Sequence, residues 1–354
     1  MRLLRTVFVL LLVFSLSSFL AFAEGQQEAS GEQKEVTLKL STHHPGDVYR
    51  SLGARLIKEE IEKATNGKVK IDIYYSESLA AGSEVLSSVE KKIADIGDFN
   101  PAYYPGQTPL HAGLLVFTKA PPTHAQKKEV MNRSYEKYPE LVEELEQYNQ
   151  KILWQYYPTP LNLSSTEPVN SIEDFAGLKI RASSEAYLRM LESLGATPVS
   201  VPFTDCYMAL QTGTIDGVFT NIAAMSGQKF YEPAPYSFTS QEMSIWLPFT
   251  YTINMDVWNS FTDETKEQIN AAMERVDERY SPRYDEEYQK QVKIFRDEGK
   301  ELVKASKEDV ETWQNLEIID TLKQELAEKA EAAGIEDGMQ FVEDHERFME
   351  EAAE

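Results

Sequence analysis

The sequence predicts an α/β protein built from two lobes. Between Gly177 and Gly217, short apolar runs alternate with stretches of helical spacing, as they do in βαβ units. The chain has 354 residues, of which 42% are hydrophobic, and this is enough to bury a sizeable core in each of two lobes. Pro158 and Pro160 follow an aromatic strand pattern and indicate a hinge where the chain crosses from one lobe to the other.

The first residues have the pattern of an export signal. Met1–Ala23 carries two arginines, then an apolar run from Val7 to Leu20, and ends in a small-residue cleavage pattern. We expect this leader to be removed; the alternative is a retained membrane anchor, for which the apolar run is short. Residues 24–34 have the composition of a flexible tether. Cys206 is the single cysteine, so no internal disulfide is expected, and its predicted role is packing.

The first lobe is predicted to alternate strands and helices, with polar residues where strands end. The predicted elements are strands at Val36–Leu40, Val69–Tyr75, Ile93–Gly97 and Ile152–Tyr157, and helices at Tyr49–Thr65, Ser83–Lys92 and about His124 to Tyr148. His43, His44 and Asp47 lie in the loop after the first strand, as either ligand contacts or a plain polar turn. Asn100 and Tyr103 follow the third strand.

The second lobe is organised around Arg181. Leu178–Ile180 reads as a buried strand that places this arginine at its carboxyl end, which in open α/β sheets faces the ligand crevice. Ser183 and Ser184 are good N-caps for a helix that stops at Gly195. An arginine close to helix N-terminal amides favours an anion. The next predicted elements are a strand at Val199–Phe203, a helix at Asp205–Thr212 capped by Thr204, and a strand at Ile215–Val218.

The last third of the chain is predicted to return to the first lobe and then to be helical. Trp246–Asn254 alternates as a strand. Helical periodicity runs from Thr262 to about Lys304, and Pro282 is expected to kink that helix. Residues 307–354 have the pattern of charged helices with a solvated face.

The charge balance excludes one class of partner. With 58 acidic and 35 basic residues, the formal charge is −23, so no positive field is available to bind nucleic acid. A small anionic ligand is still compatible with this charge, because the short-range contacts of one buried arginine outweigh a screened surface field.

Several ordered motifs carry a resemblance to a known family. They are Gly177-Leu-Lys-Ile-Arg181, Leu194-Gly-Ala-Thr-Pro-Val, Tyr207-Met-Ala-Leu-Gln-Thr-Gly213, Ile215-Asp-Gly217, Gly67-Lys-Val-Lys-Ile-Asp-Ile, Ala94-Asp-Ile-Gly97 and Asn254-Met-Asp-Val-Trp. Together they resemble the signature of solute-binding proteins of tripartite ATP-independent periplasmic (TRAP) transporters, of the dicarboxylate-receptor (DctP) type. The likeness covers nearly all of the chain after the leader.

The resemblance implies a fold and its division. The expected architecture is a two-lobe periplasmic binding protein with a mixed sheet in each lobe, hinge strands, and a long helix spanning both lobes. Lobe I is expected to comprise residues 35–158 and the returning segment 247–285, and lobe II residues 159–246. Residues 286–354 are expected to pack across both lobes.

The resemblance also assigns ligand-facing positions. Arg181 is expected to hold a carboxylate through a bidentate ion pair, and an aromatic at Phe203 is expected against the ligand. The other expected contacts are Asn100, His44, Trp246, and Thr220 or Asn221, between which the sequence does not choose. Some relatives carry a second arginine after the hinge, where this chain has Leu161 or Asn162.

The missing second arginine favours a monocarboxylate with an apolar or aromatic body. Stacking surface is expected from Phe203, Phe219, Trp246 and Tyr251, with core packing as the alternative reading. The predicted function is therefore periplasmic capture of a small organic acid by lobe closure, followed by delivery to the TRAP membrane permease, by a protein that we expect to be a monomer. An ATP-driven importer's binding protein, a receptor-linked sensor and an exported hydrolase are the alternatives.

Catalysis, a cofactor and a metal are not expected. The sequence lacks the GxSxG, P-loop, GxGxxG and HExxH motifs. Of the five histidines, only His43 and His44 are close in sequence, and neighbours on an extended chain point to opposite faces. This reasoning argues against a zinc site built from that pair.

Overall fold

The computed structural model describes residues 32–243, 246 and 248–354, and these form two mixed sheets surrounded by helices. The predicted leader and residues 24–31 of the predicted tether lie outside the described residues. The α/β class with a mixed sheet in each lobe is confirmed. Among the described helices, none has the length and apolar character needed to cross a membrane.

The first sheet has the strand order β2-β1-β3-β10-β4. Its strands are β1 (Val36–Ser41), β2 (Val69–Tyr74), β3 (Ile96–Phe99), β4 (Gln150–Tyr156) and β10 (Phe249–Asn254). β1 runs parallel to β2 and β3, whereas β10 is antiparallel to β3 and β4. The parallel strands β1 and β3 therefore end at the same sheet edge, where the loops with His43, His44 and Asn100 begin.

The second sheet has the order β11-β9-β5-β8-β6-β7. Its strands are β5 (Leu161–Ser165), β6 (Lys179–Arg181), β7 (Thr197–Val199), β8 (Gly217–Asn221), β9 (Tyr236–Thr239) and β11 (Glu301–Lys304). β6 is parallel to β7 and β8, while β5 is antiparallel to β8 and β9. Between Tyr156 and Leu161 the chain passes from the first sheet to the second, at the predicted hinge. The limits predicted for the two lobes stay a prediction.

The helices cover the sheets and form a carboxyl-terminal cluster. They are α1 (Leu52–Ala64), α2 (Val85–Glu90), α3 (Pro109–Gly113), α4 (His124–Lys137), α5 (Glu140–Glu146), α6 (Glu185–Ser193), α7 (Cys206–Gln211), α8 (Ile222–Gly227), α9 (Met255–Asn259), α10 (Asp263–Asp297), α11 (Lys307–Gln314), α12 (Ile318–Ala332) and α13 (Gly338–Ala353). The charged helices predicted after residue 307 are thus present.

The 35-residue helix α10 joins the two lobes, as the resemblance implied. Arg275 and Arg279 of α10 pair with the buried carboxylate of Glu60 on α1, at 2.9 and 2.7 Å. Further along α10, Gln291 accepts a hydrogen bond from Ser226 on α8 of the second lobe. Pro282 lies inside the helix on its exposed side, where its missing N–H removes one helical hydrogen bond.

Several predicted strands are shifted by two or three residues at one or both ends, and three predicted elements differ more strongly from the structure. The predicted helix from His124 to Tyr148 is two helices, because Tyr138 precedes Pro139 and leaves the helical region. The predicted strand Val199–Phe203 is instead Thr197–Val199, since its three-residue partner β6 ends at Arg181, and Phe203 begins a 3-10 turn. Residues 301–304 are a strand rather than the end of a long helix, because Gly299 at φ +67° ends α10.

Candidate functional site

Residues of both lobes surround a small buried cavity. The first lobe contributes His43, Arg50, Asn100, Tyr103 and Phe249. The second lobe contributes Arg181, Ser183, Phe203, Phe219, Thr220 and Asn221. The cavity volume is about 20 Å³, enough for about one water molecule. The two lobes are therefore closed over this space.

Arg181 enters the cavity from the end of β6, as predicted. Its backbone pairs with Val218 of β8 on one side and Val199 of β7 on the other, which fixes the strand end at the cavity. The side chain is 2% exposed, and its Nε–H donates to the carbonyl of Val201 at 2.9 Å. That bond orients the guanidinium, whose carbon lies 5.6 Å from the ring centre of Phe203.

A second guanidinium, that of Arg50, reaches the same cavity from the first lobe. Arg50 lies in the 3-10 turn Tyr49–Ser51 that precedes α1 and is 8% exposed. Its guanidinium carbon lies 4.7 Å from the ring centre of Phe249 and 5.6 Å from that of Phe203. Its Nε is buried without a hydrogen-bond partner. The ring of Phe203 therefore contacts one arginine from each lobe.

Neither arginine has a direct carboxylate partner in the described part of the chain. No carboxylate oxygen there lies within 4.0 Å of the guanidinium nitrogens of Arg50 or Arg181, although seven pairs of an arginine with a carboxylate form elsewhere. A buried charge without a partner is costly, because the protein interior does not replace its hydration. Two such cations that face one cavity are the electrostatic complement of an anion.

Sequence reasoning did not find Arg50. The prediction looked for a second arginine after the hinge, and Leu161 and Asn162 are indeed there in β5. The cation instead comes from the loop that follows β1, which had been singled out only for its histidines and Asp47. An arginine directly before a helix, in the connection that follows a parallel strand, was the available signal.

His43 and His44 lie side by side, which corrects the prediction that they point apart. The chain bends at both residues after β1 instead of continuing as a strand, so their ring centres are only 3.8 Å apart. His43 Nδ1 and His44 Nε2 each lie 3.8 Å from Oδ2 of Asp98, which lies in β3 beside them. The side chain of Asp98 accepts hydrogen bonds from Thr42 at 2.7 Å and from Tyr156 at 2.9 Å.

Burial controls the protonation of this cluster. It lowers the pKa of His43 to about 3 and that of His44 well below its usual value, and the nearby charge of Arg50 lowers both pKa values further. Burial raises the pKa of Asp98 to about 6, against the opposing hydrogen bonds from Thr42 and Tyr156. Both imidazoles are therefore neutral at pH 7, and the carboxylate is largely ionised.

The other predicted site residues divide into two groups. Asn100, Phe203, Thr220 and Asn221 line the cavity together with Arg181. His44 does not line the cavity; it packs behind His43, against Phe203 and Phe249.

The structure does not bring Trp246 to the cavity. Its ring is fully buried and packs against Tyr157 and His345, each at 5.5 Å between ring centres. This position is the core-packing alternative that the sequence had left open for the aromatic residues. Tyr251 is likewise fully buried and stacks on Trp154 and Tyr156 within the first lobe.

Thr220 and Asn221 both line the cavity, but only the Asn221 side chain also makes hydrogen bonds to described residues. The side-chain oxygen of Asn221 accepts from the amide of Ala224 at 3.1 Å and from the hydroxyl of Thr159 at 3.2 Å, and so caps α8. Its amide nitrogen makes no hydrogen bond within the part of the chain that the structure describes. The Thr220 hydroxyl likewise has no recorded partner there. Both residues therefore offer a donor to the cavity.

Two α/β lobes that enclose a cationic cavity define a ligand-binding protein, and comparison with known proteins identifies its family. The family model DctP, bacterial extracellular solute-binding protein, family 7, matches residues 41–343. The chain belongs to this family, that of the TRAP solute-binding proteins.

Relatives by sequence are distant but cover most of the chain. The sialic acid-binding periplasmic protein SiaP of Vibrio cholerae is 24% identical over 77% of this chain and 84% of its own length. The C4-dicarboxylate-binding periplasmic protein DctP of Rhodobacter capsulatus is 24% identical over 85% of this chain and 89% of its own.

Solved structures share the fold. An open complex of a TRAP periplasmic solute-binding protein from Desulfovibrio salexigens has a TM-score of 0.70 and 27% identity, and the match covers 90% of this chain and 96% of that one. A marine metagenome TRAP protein specific for aromatic acids, solved with 3-hydroxybenzoate, has a TM-score of 0.77 and 21% identity, with coverage of 91% and 100%.

Proposed function

We propose that this protein captures a small organic acid in the periplasm by closing its two lobes, and delivers it to a TRAP membrane permease. The observation that carries the proposal is the pair of buried guanidinium groups, Arg50 and Arg181, one from each lobe, neither with a direct carboxylate partner among the described residues. Its membership of the family supports binding rather than catalysis. Export through a cleaved leader is part of the proposal and is supported by the pattern of residues 1–23.

The ligands named for related proteins support an organic anion. Relatives are described as binding sialic acid, C4-dicarboxylates and aromatic acids, all of which carry a carboxylate. In this chain Arg181 would hold the carboxylate, because its Nε donates to Val201 while its two terminal nitrogens make no hydrogen bond with a described residue. Each charge-assisted hydrogen bond of this kind contributes about 1.5 to 3 kcal/mol.

The second arginine changes the class of ligand that we propose. A monocarboxylate was expected because no second arginine follows the hinge, but Arg50 supplies one from the other lobe. The acid we propose therefore has a carboxylate for Arg181 and a second acceptor, anionic or polar, that reaches Arg50. Phe203, in contact with both guanidinium groups, provides the apolar wall between them.

Closure follows from the same geometry. A cavity of about 20 Å³ is smaller than an organic acid, so the lobes must open before a ligand enters and must close less tightly around the ligand than they do here. An acid that contacts Arg50 and Arg181 together bridges the lobes and so stabilises the closed form over the open one. Without the acid, closure brings two positive charges to one cavity, which favours opening.

The test is a thermal-shift screen of organic acids on the wild-type chain, followed by Arg181→Ala and Arg181→Lys. A ligand at a hundredfold over its Kd stabilises the folded protein by about 2.7 kcal/mol, a clear rise in Tm. We expect Arg181→Ala to abolish the rise, and Arg181→Lys to reduce it, since an ammonium group cannot reproduce the guanidinium fork.

The matched control is Arg283→Ala, which removes an exposed arginine of α10 and should leave the ligand-induced shift unchanged. An equal shift in wild type and Arg181→Ala would refute the proposed role of Arg181. Recovery of the bound acid unaltered separates capture from hydrolysis. Co-purification with a multi-span permease that lacks an ATPase separates a TRAP partner from an ATP-driven importer or a sensor.

A further inference from the structure

The cluster of His43, His44 and Asp98 is unexplained by the capture of an acid. Their three potential ligand atoms lie within 4.8 Å of one another, and this is the only such group of metal-ligating side chains in the described part of the chain. The three residues are 4%, 0% and 0% exposed. They join two neighbouring strands, because His43 and His44 follow β1 and Asp98 belongs to β3.

The imidazoles lack the partners that buried histidines normally have. His43 Nδ1 and both ring nitrogens of His44 make no hydrogen bond with any described residue. A buried polar atom without a partner costs the free energy of its lost hydration, so proteins rarely retain one without a reason. Two of these atoms, His43 Nδ1 and His44 Nε2, lie beside a carboxylate that is held by Thr42 and Tyr156, so three lone-pair donors are gathered around one point.

We infer that His43 Nδ1, His44 Nε2 and Asp98 Oδ2 bind a divalent transition-metal ion of the Zn²⁺ type. Two imidazoles and one carboxylate are a set that proteins use for zinc when a fourth position stays open. In a tetrahedral site with bonds of about 2.0 to 2.2 Å, neighbouring ligand atoms lie about 3.4 Å apart. The observed distances of 3.8 Å from each imidazole nitrogen to Oδ2 need a small contraction, and the ligand atoms of the two histidines, which lie within 4.8 Å of each other, must also move closer.

The neighbouring residues support this assignment and indicate from which side a bound metal ion is reached. Thr42 and Tyr156 donate to the carboxylate, as the outer partners of a metal ligand do, and so hold Oδ2 toward the histidines. His43 also lines the cavity, so the open coordination position is reached from there. Among the described neighbours, the positive charge of Arg50 would repel a bound cation. The negative charge of Asp98 offsets this repulsion in part.

The test is calorimetric titration of the chelator-treated wild-type chain with Zn²⁺ alone, without any organic acid, so its outcome does not depend on the proposed capture. We expect one Zn²⁺ per chain, and a loss of affinity of more than about tenfold in His43→Gln and His44→Gln. His345→Gln is the matched control, because His345 is also buried with an unpartnered Nε2 and should bind Zn²⁺ as the wild type does.

Two further measurements make the result decisive. Ca²⁺ prefers oxygen ligands and would occupy surface carboxylates of this acidic chain, so an excess of Ca²⁺ should not displace the bound Zn²⁺. X-ray absorption at the zinc edge on the wild-type chain should show two imidazoles, even where a variant fails to fold. Equal affinity in His44→Gln and wild type, zinc with oxygen ligands only, or no zinc binding would overturn the inference.

Discussion

At the residue scale, burial without a carboxylate partner distinguishes Arg50 and Arg181 from the other arginines in the described part of the chain. Arg189 pairs with Glu325 at 2.7 Å, and Arg279 pairs with Glu60 at 2.7 Å, so both are neutralised on or near the surface. Arg50 and Arg181 are more buried than either and have no such carboxylate among the described residues. Buried cations without an internal partner are expected where a ligand supplies the missing charge.

Replacement of Arg50 by leucine should therefore act in opposite directions on the free and the bound protein. Arg50→Leu removes a buried charge that has no direct carboxylate partner among the described residues, so the unliganded protein should be as stable as the wild type or more stable. The same change removes a contact to the acid, so the Kd should rise by about tenfold or more, the equivalent of about 1.4 kcal/mol. Urea unfolding without ligand and calorimetry with the acid measure the two effects.

The control for this prediction is Arg189→Leu, which breaks a surface ion pair and should leave ligand affinity unchanged. If Arg50→Leu destabilises the unliganded protein strongly and leaves the Kd unchanged, Arg50 has a structural role in the first lobe and does not bind the acid.

What the sequence could reveal about the site depended on how local the signal was. Arg181 was predictable because a glycine, a short apolar run and two capping serines place it within one segment. The role of Arg50 and the contact between the histidines were not predictable, because they depend on how β1, β3 and α1 pack together in the folded protein. Trp246 was predicted as a ligand contact although it packs on Tyr157. The sequence pattern of an aromatic residue before a strand is the same for both roles.

At the scale of elements, the sequence predicted best where capping residues fix the ends. The Ser184 side chain accepts from the amide of Tyr187 and starts α6, while Gly195 at φ +81° ends it, both as predicted. The predicted bounds were wrong where pairing with a neighbouring strand determines where a strand begins or ends. β7 stops with its partner β6, and β11 forms only because the edge of β9 is available to it.

The contact between α12 and α13 depends on a glycine. A Cβ atom on Gly338, at the start of α13, would lie 2.0 Å from the backbone oxygen of Ala327 on α12. Because a backbone atom cannot turn aside, Gly338→Ala should shift α13 and destabilise the protein by about 1 to 3 kcal/mol or more. The midpoint of urea unfolding measures this effect.

Gly106→Ala is the matched control, since a Cβ atom at Gly106 would meet nothing within 4 Å. It should change the free energy of unfolding by less than about 0.5 kcal/mol. Equal effects of the two substitutions would show that the close approach of α13 to α12 does not contribute to stability.

At the scale of the whole molecule, buried histidines should make stability depend on pH. Burial lowers the pKa of His43, His124 and His345 to about 3, and that of His44 well below its usual value of about 6.5. As the pH falls below about 6.5, the unfolded chain takes up protons that the folded chain does not. The folded state therefore loses stability from about pH 6.5 downward.

One carboxyl group opposes this trend. Burial raises the pKa of Asp98 to about 6 in the folded protein, so between about pH 6 and pH 4 the folded chain holds a proton that the unfolded chain releases. Asp98 alone would make the protein more stable as the pH falls through that range. Each fully shifted group contributes up to about 1.4 kcal/mol per pH unit. Because four histidines act against one carboxyl group, the free energy of unfolding still falls as the pH falls.

The prediction is a fall in the free energy of urea unfolding between pH 7 and pH 5, measured with a chelator present, and a shallower fall in His345→Gln. His345 is the best histidine for this test, because it lies away from the cavity, with Ser134 at 2.8 Å from its Nδ1 and Phe117 stacked on its ring. Loss of the Ser134 bond lowers the absolute stability of the variant at every pH, so the slope against pH is the quantity to compare. An unchanged slope in His345→Gln would mean that His345 takes up its proton in the folded protein as readily as in the unfolded chain. The acid sensitivity would then have to come from the other histidines or from the ion pairs of the surface.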